Sequence, residues 1–197
     1  RDLKTVGIVV VTSDKGLDLL DRQTGRFIHY QHDPLDSNSL SSNHIRAICE
    51  DLDGFLWICT RDAGINRFDH RTRTFIRFTH DPSNPNSPSS NSSWATCCDH
   101  KGKIWFGYFG ANKLDCYDPK NETWSHFDWL SGDVERPRDP NIWALSEGND
   151  GEIWIGTNHY YWFTRIHHKG KDVYPELRRK LAERGPVAGQ IMTSKLS

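Results

Sequence analysis

The chain has 197 residues, room for one sizeable core or one and a half small ones. Its 25 basic and 26 acidic residues leave a net charge of −1, with no overall basic excess of the kind that steers a protein to nucleic acid or an anionic membrane surface. Only 36% is hydrophobic but 12% is aromatic, with eight Trp, a balance that points to β-structure packed on rings rather than to Leu-rich helices.

From the N-terminus, GIVVVT (7–12) reads as a strand, and a partial unit with its linking loop follows to residue 43. The next unit is legible throughout. HIRAICE (44–50) alternates apolar and polar positions as a half-buried strand does. DLDG (51–54) is a tight turn in which Gly54 supplies a positive φ. FLWICT (55–60) is an apolar run typical of a strand covered on both faces. RDAG (61–64) turns the chain into a third strand, INRFD (65–69), and HRTR (70–73) turns it into a fourth, TFIRFT (74–79). A polar loop, HDPSNPNSPSSN (80–91), leads to the next unit.

The units repeat. Trp57, Trp105 and Trp154 are 48 and 49 residues apart, as are Asp21, Asp69 and Asp118. HDP recurs at His32 and His80, and SLSSNHIRAIC (39–49) returns as SPSSNSSWATC (87–97). Trp94 maps to Trp143, with Ile45 or Arg46 near the same register earlier. Four short antiparallel strands every 48 residues are the period of a β-propeller blade, in an all-β fold. The expected division is a partial blade and linking loop over 1–43, blades over 44–92 and 93–141, a fourth blade over 142–174 that is irregular at its end, and a non-repeat tail over 175–197 with a helical look. Closed propellers use about four to eight blades. The chain opens on Arg1 rather than Met, so the reading is of an incomplete propeller, a piece of a longer chain or one completed by further copies.

Within this grammar Trp57, Trp105 and Trp154 are expected to fill the space between blades, and Gly54, Gly102 and Gly151 to turn the first hairpin. Gly107 and Gly156 mark close sheet approach, and Cys59 stands where they put Gly. Cys49, Cys59, Cys97, Cys98 and Cys116 fit no zinc spacing and read as small buried hydrophobes.

The phrases DGFLWICT, GINRFDHRTRTFIRF and HDPLDSNSLSSN resemble the two-component regulator propeller repeat, over about residues 6 to 174. That resemblance implies a periplasmic or extracytoplasmic sensor region of a hybrid histidine kinase. Such regions commonly precede a β-sandwich, a membrane helix and a kinase, and commonly recognise oligosaccharides. Expected partners are therefore an oligosaccharide or other small ligand, further blades and downstream signalling domains of the same receptor, and a second copy in a homodimer, with no nucleic acid. The chain departs from the pattern at Val9, which replaces the first Trp, and at TNHYYWFTRIHH (157–168).

No catalytic motif is present: there is no G-x-S-x-G, no P-loop and no H-E-x-x-H, so no catalytic residue, cofactor or metal ligand is assigned. DLDG lacks the Glu that would close a calcium loop, since Asp62 stands there. His32 and His80 recur with the blades, a structural pattern, and adjacent His167 and His168 face opposite sides of a strand. Function is expected where the repeat is broken, on a scaffold the regular positions hold still. The candidate ligand-binding residues are Trp129, Arg136 and Arg138 in DWLSGDVERPRDP (128–140), and His159, Tyr160 and Tyr161 after the second strand of the last unit. Trp94 and Trp143 fall on first strands, which usually lie nearest the propeller axis, and either line the central funnel or, on the favoured reading, pack in the core. Two readings compete with the sensor: a dimerisation scaffold without ligand, and a lyase-like propeller.

Overall fold

The computed structural model describes residues 8–12, 14–21, 24–128, 141–157 and 163–166. Among these there are fourteen strands and no helix. They form four antiparallel sheets. The first is β1 (Ile8–Thr12), β2 (Gly16–Asp21) and β3 (Arg26–Tyr30). The second is β4 (Ile45–Glu50), β5 (Leu56–Thr60), β6 (Ile65–Asp69) and β7 (Thr74–Phe78). The third is β8 (Ser93–Cys98), β9 (Ile104–Tyr108), β10 (Lys113–Asp118) and β11 (Thr123–Asp128). The fourth is β12 (Ile142–Glu147), β13 (Ile153–Thr157) and β14 (Phe163–Ile166).

In every sheet the strands pair in chain order, as successive hairpins do. The leading strands of the last three sheets lie side by side, with β8 between β4 and β12. The sheets do not close into a ring. The helical look of the tail over 175–197 lies outside the described residues.

Three apolar layers fill the gaps between sheets. Leu17, Leu40, Ile45, Ile58 and Phe68 join the first sheet to the second. Trp57 and Ile65 of the second meet Phe106, Tyr117 and Trp124 of the third. Trp105 and Leu114 of the third meet Ile142, Ile153 and Ile155 of the fourth. Trp57 is fully buried, with its ring 5.1 Å from Tyr117 and 5.8 Å from Phe106.

The buried indole N–H needs an acceptor, and the first hairpin supplies it. Trp57 Nε1 donates to Asp51 Oδ2 at 2.7 Å, while Asp51 Oδ1 accepts the backbone N–H groups of Asp53 and Phe55. Trp105 and Asp99 repeat this arrangement at 3.0 Å, with Lys101 and Lys103 as backbone donors. In the fourth sheet Gly148 stands at the Asp position, and Glu152 reaches into the vacated space to take the Trp154 indole at 3.3 Å. Gly54, Gly102 and Gly151 hold φ values of 85°, 81° and 74° in these hairpins, the left-handed region a side chain disfavours.

The long loops are also built by repetition. His32 and His80 each turn Nδ1 to a backbone carbonyl, of Leu40 and Pro88 respectively, and each backbone N–H donates to Asn43 or Asn91. The loop then latches onto the next sheet. Asn66 binds the backbone N–H and hydroxyl of Ser41, and Asp115 binds those of Ser89.

Candidate ligand-binding site

The leading strands share one irregularity. Ile45 pairs with Thr60 but Ala47 with Cys59, leaving Arg46 as an extra residue. The same shift falls between Ser93 and Ala95, at Trp94, and between Ile142 and Ala144, at Trp143. Each is a β-bulge, a device that bends a strand and re-aims one side chain. Ile45 and Ala47 therefore serve different interfaces, one in the layer before the second sheet and one in the layer after it, while Arg46 is released from both.

The three released side chains meet. The Arg46 guanidinium lies over the Trp94 ring at 4.6 Å from its centroid. Trp94 meets Trp143 edge to face at 4.7 Å, and Phe109 stacks on Trp94 at 4.6 Å. Trp143 is 44% exposed and Phe109 42%, so two large rings face solvent where a core would have covered them. The expectation of core packing for Trp94 and Trp143 is therefore replaced: the bulge turns both away from the sheet interfaces. Phe109 is held at this spot by its backbone N–H, which donates to the Ser92 carbonyl, and Arg61 takes the same place in the second sheet through the His44 carbonyl.

Trp129, Arg136, Arg138, His159, Tyr160 and Tyr161 lie outside the described residues. Their points of attachment are described. The chain leaves β11 at Asp128, re-enters at β12 with Ile142, and leaves β13 at Thr157, which pairs with Ile142. Both irregular segments thus connect at the end of the third and fourth sheets where Trp143 stands. Arg46, Arg61 and Phe109 were overlooked in the sequence as site residues. The available signal was the repeat register, which aligns Arg46 with Trp94 and Trp143, and Arg61 with Phe109.

A second polar cluster has the residue types of a nucleophilic site but different wiring. Ser89 Oγ donates to Asp115 Oδ1 at 2.6 Å, and His126 Nδ1 reaches the same oxygen at 2.8 Å. His126 Nε2 is spent on the Pro85 carbonyl, and Tyr108 donates to Asp115 Oδ2. Ser89 Oγ also lies 3.0 Å from His126 Nδ1, but that nitrogen is shared with Asp115 and Nε2 is engaged by the Pro85 carbonyl, so the imidazole is held between three partners and is not free to act as base. In the second sheet Ser41 and Asn66 make the corresponding latch, and Arg77 donates separately to the Ser39 hydroxyl and carbonyl of the same loop. Burial opposes charge on His126, but the bonds to Asp115 and the Pro85 carbonyl outweigh it and raise its pKa.

Stacked four-stranded antiparallel sheets with their leading strands side by side define consecutive β-propeller blades. The two-component regulator propeller model matches the chain twice, at residues 39–62 and 137–159. A model for the family 4 glycosyl hydrolase C-terminal domain matches residues 154–195, of which the described part is strands β13 and β14 of a propeller sheet. No curated protein matches the chain.

Among solved structures the chain is similar to the extracellular domain described for a hybrid two-component system of B. thetaiotaomicron. That match has 24% identity and a TM-score of 0.67, over 85% of this chain and 21% of that one. It is similar to virginiamycin B lyase from Staphylococcus aureus, at 15% identity and a TM-score of 0.60, over 84% of this chain and 53% of the lyase. It is also similar to the WD40 propeller domain of Doa1, at 14% identity and a TM-score of 0.55, over 79% and 45%. The chain thus spans about a fifth to a half of these relatives, and the likeness is one of fold.

Proposed function

We propose that the chain is a ligand-binding segment of the sensor propeller of a bacterial two-component receptor, placed outside the cytoplasm and responding to carbohydrate. The observation that carries this reading is the solvent-facing pair of Trp143, at the bulge of β12, and Phe109, just after β9, in a chain that the regulator-propeller model matches twice. An exposed indole offers a flat apolar face of the kind on which a pyranose ring stacks. Binding would bias the arrangement of the receptor's domains or of two copies, by the difference in ligand affinity between the two arrangements. No chemical step in this chain is required, and the wiring of Ser89, Asp115 and His126 supports a latch over a catalytic centre.

Calorimetric titration against a broad panel of oligosaccharides tests the reading. Saturable heats with at least one panel member are expected, and silence across the panel would remove the carbohydrate part. A second reading draws on the same exposed rings, which also suit a protein partner. On that reading Trp143→Ala changes the sedimentation coefficient and leaves ligand heats intact.

A further inference from the structure

Among the described residues Arg46 is a cation without a counterion. Its Nε is covered and has no acceptor, and its guanidinium makes no hydrogen bond or ion pair among the described residues. A covered guanidinium donor without an acceptor costs free energy, so its retention calls for an explanation. Stacking on Trp94 accounts for where the side chain lies but satisfies none of its donors. Arg61 stands beside this site at the repeat position of Phe109 and is exposed. Two acids on this side, Asp62 and Asp14, turn to His44, at 3.1 and 3.9 Å. Burial opposes charge on Asp62, but hydrogen bonds from Ser42 and His44, with the Arg61 charge helping, hold its carboxyl below its ordinary pKa. The face therefore changes character across one blade boundary, with two arginines on the second sheet and two exposed rings on the third and fourth.

We infer that this face takes a sugar ring bearing a carboxylate or a sulfate, the anion held by Arg46 and Arg61 and the ring by Trp143 and Phe109. The inference rests on the carbohydrate reading above and narrows it to acidic saccharides. The terminal guanidinium nitrogens of Arg46 form a planar fork that matches either oxyanion, and Trp94 beneath fixes the plane of that fork. The chain's net charge of −1 makes the preference a local property and not a general attraction to anions.

The test is calorimetry with matched pairs: a galacturonic acid trisaccharide against its methyl ester, and a sulfated disaccharide against its desulfated form. The acidic member of at least one pair is expected to bind about tenfold tighter, and which pair responds tells carboxylate from sulfate. The gap should shrink at about 1 M salt, where the screening length is about 3 Å. Arg46→Gln should erase the gap and exposed Arg61→Gln should reduce it, with circular dichroism reporting the fold of each variant. Equal binding within both pairs overturns the inference while leaving the carbohydrate reading in place. A preference that survives both Arg46→Gln and Arg61→Gln also overturns it, as does absence of binding by every member while a neutral oligosaccharide of the broad panel binds.

Discussion

Ser93 Oγ donates a hydrogen bond to Cys59 Sγ at 2.9 Å across the gap between the second and third sheets. One interface further on, the same two positions are Gly107 and Ile142, and a Cβ built on Gly107 would lie 2.3 Å from Ile142 Cγ2. The interfaces hold the same space in two ways: a medium side chain against a small one, or nothing against a large one. Cys59 is thus the volume complement of Ser93, which accounts for its presence where the repeat has Gly. Cys59→Gly should cost about 1–3 kcal/mol for the void it leaves. Ser93→Ile should cost a similar amount by overpacking. The double variant rebuilds the Gly–Ile pair and should recover at least about 1 kcal/mol relative to the sum, read from chemical denaturation.

Asp51 satisfies an indole and two backbone donors at once. Asp51→Ala leaves the Trp57 N–H buried without an acceptor and releases the turn, and should lower stability by about 2–4 kcal/mol in urea titrations. Glu50→Ala, one residue before it in a partly exposed position, should stay within about 0.5 kcal/mol.

The latch between Ser89, Asp115 and His126 is titratable, whereas in the second sheet Asn66 makes the corresponding latch and Arg77 donates to the loop separately. The folded pKa of His126 is raised above its unfolded value near 6.5. Its contribution is therefore fully present below about pH 6.5 and is lost as pH rises through the higher folded pKa. Thermal unfolding followed across that window should show a falling midpoint in the parent, and His126→Arg should flatten this part of the curve.

All five cysteines are free thiols, and burial raises their pKa values: Cys49 and Cys116 to about 12, Cys98 to about 11, Cys59 and Cys97 further still. Few thiolates exist near pH 8, so alkylation of the folded protein should be slow at every site, with Cys98 labelled first in mass spectra. Rapid labelling of Cys59 without denaturant would contradict the packing described for it.

The repeat register made the strand order, the interblade Trp and the hairpin glycines legible, because each follows from period and residue type. The bulges at Arg46, Trp94 and Trp143 were not. No Gly or Pro marks them, and simple alternation places the two Trp on a buried face. The acid beneath each indole was equally hidden, most of all in the fourth sheet, where Glu152 reaches in for a missing Asp. The broken-repeat segments singled out in the sequence lie outside the described residues, and only their attachments at Asp128, Ile142 and Thr157 are described.

On the proposed reading the bulge of β12 presents a ligand-binding face through Trp143. Titration calorimetry of the parent and of Trp143→Ala against the same oligosaccharide panel tests it most directly. Because Trp143 is 44% exposed, its loss should shift the unfolding midpoint little while weakening binding at least about tenfold. Equal affinities in parent and variant, or no binding by either, would contradict the account.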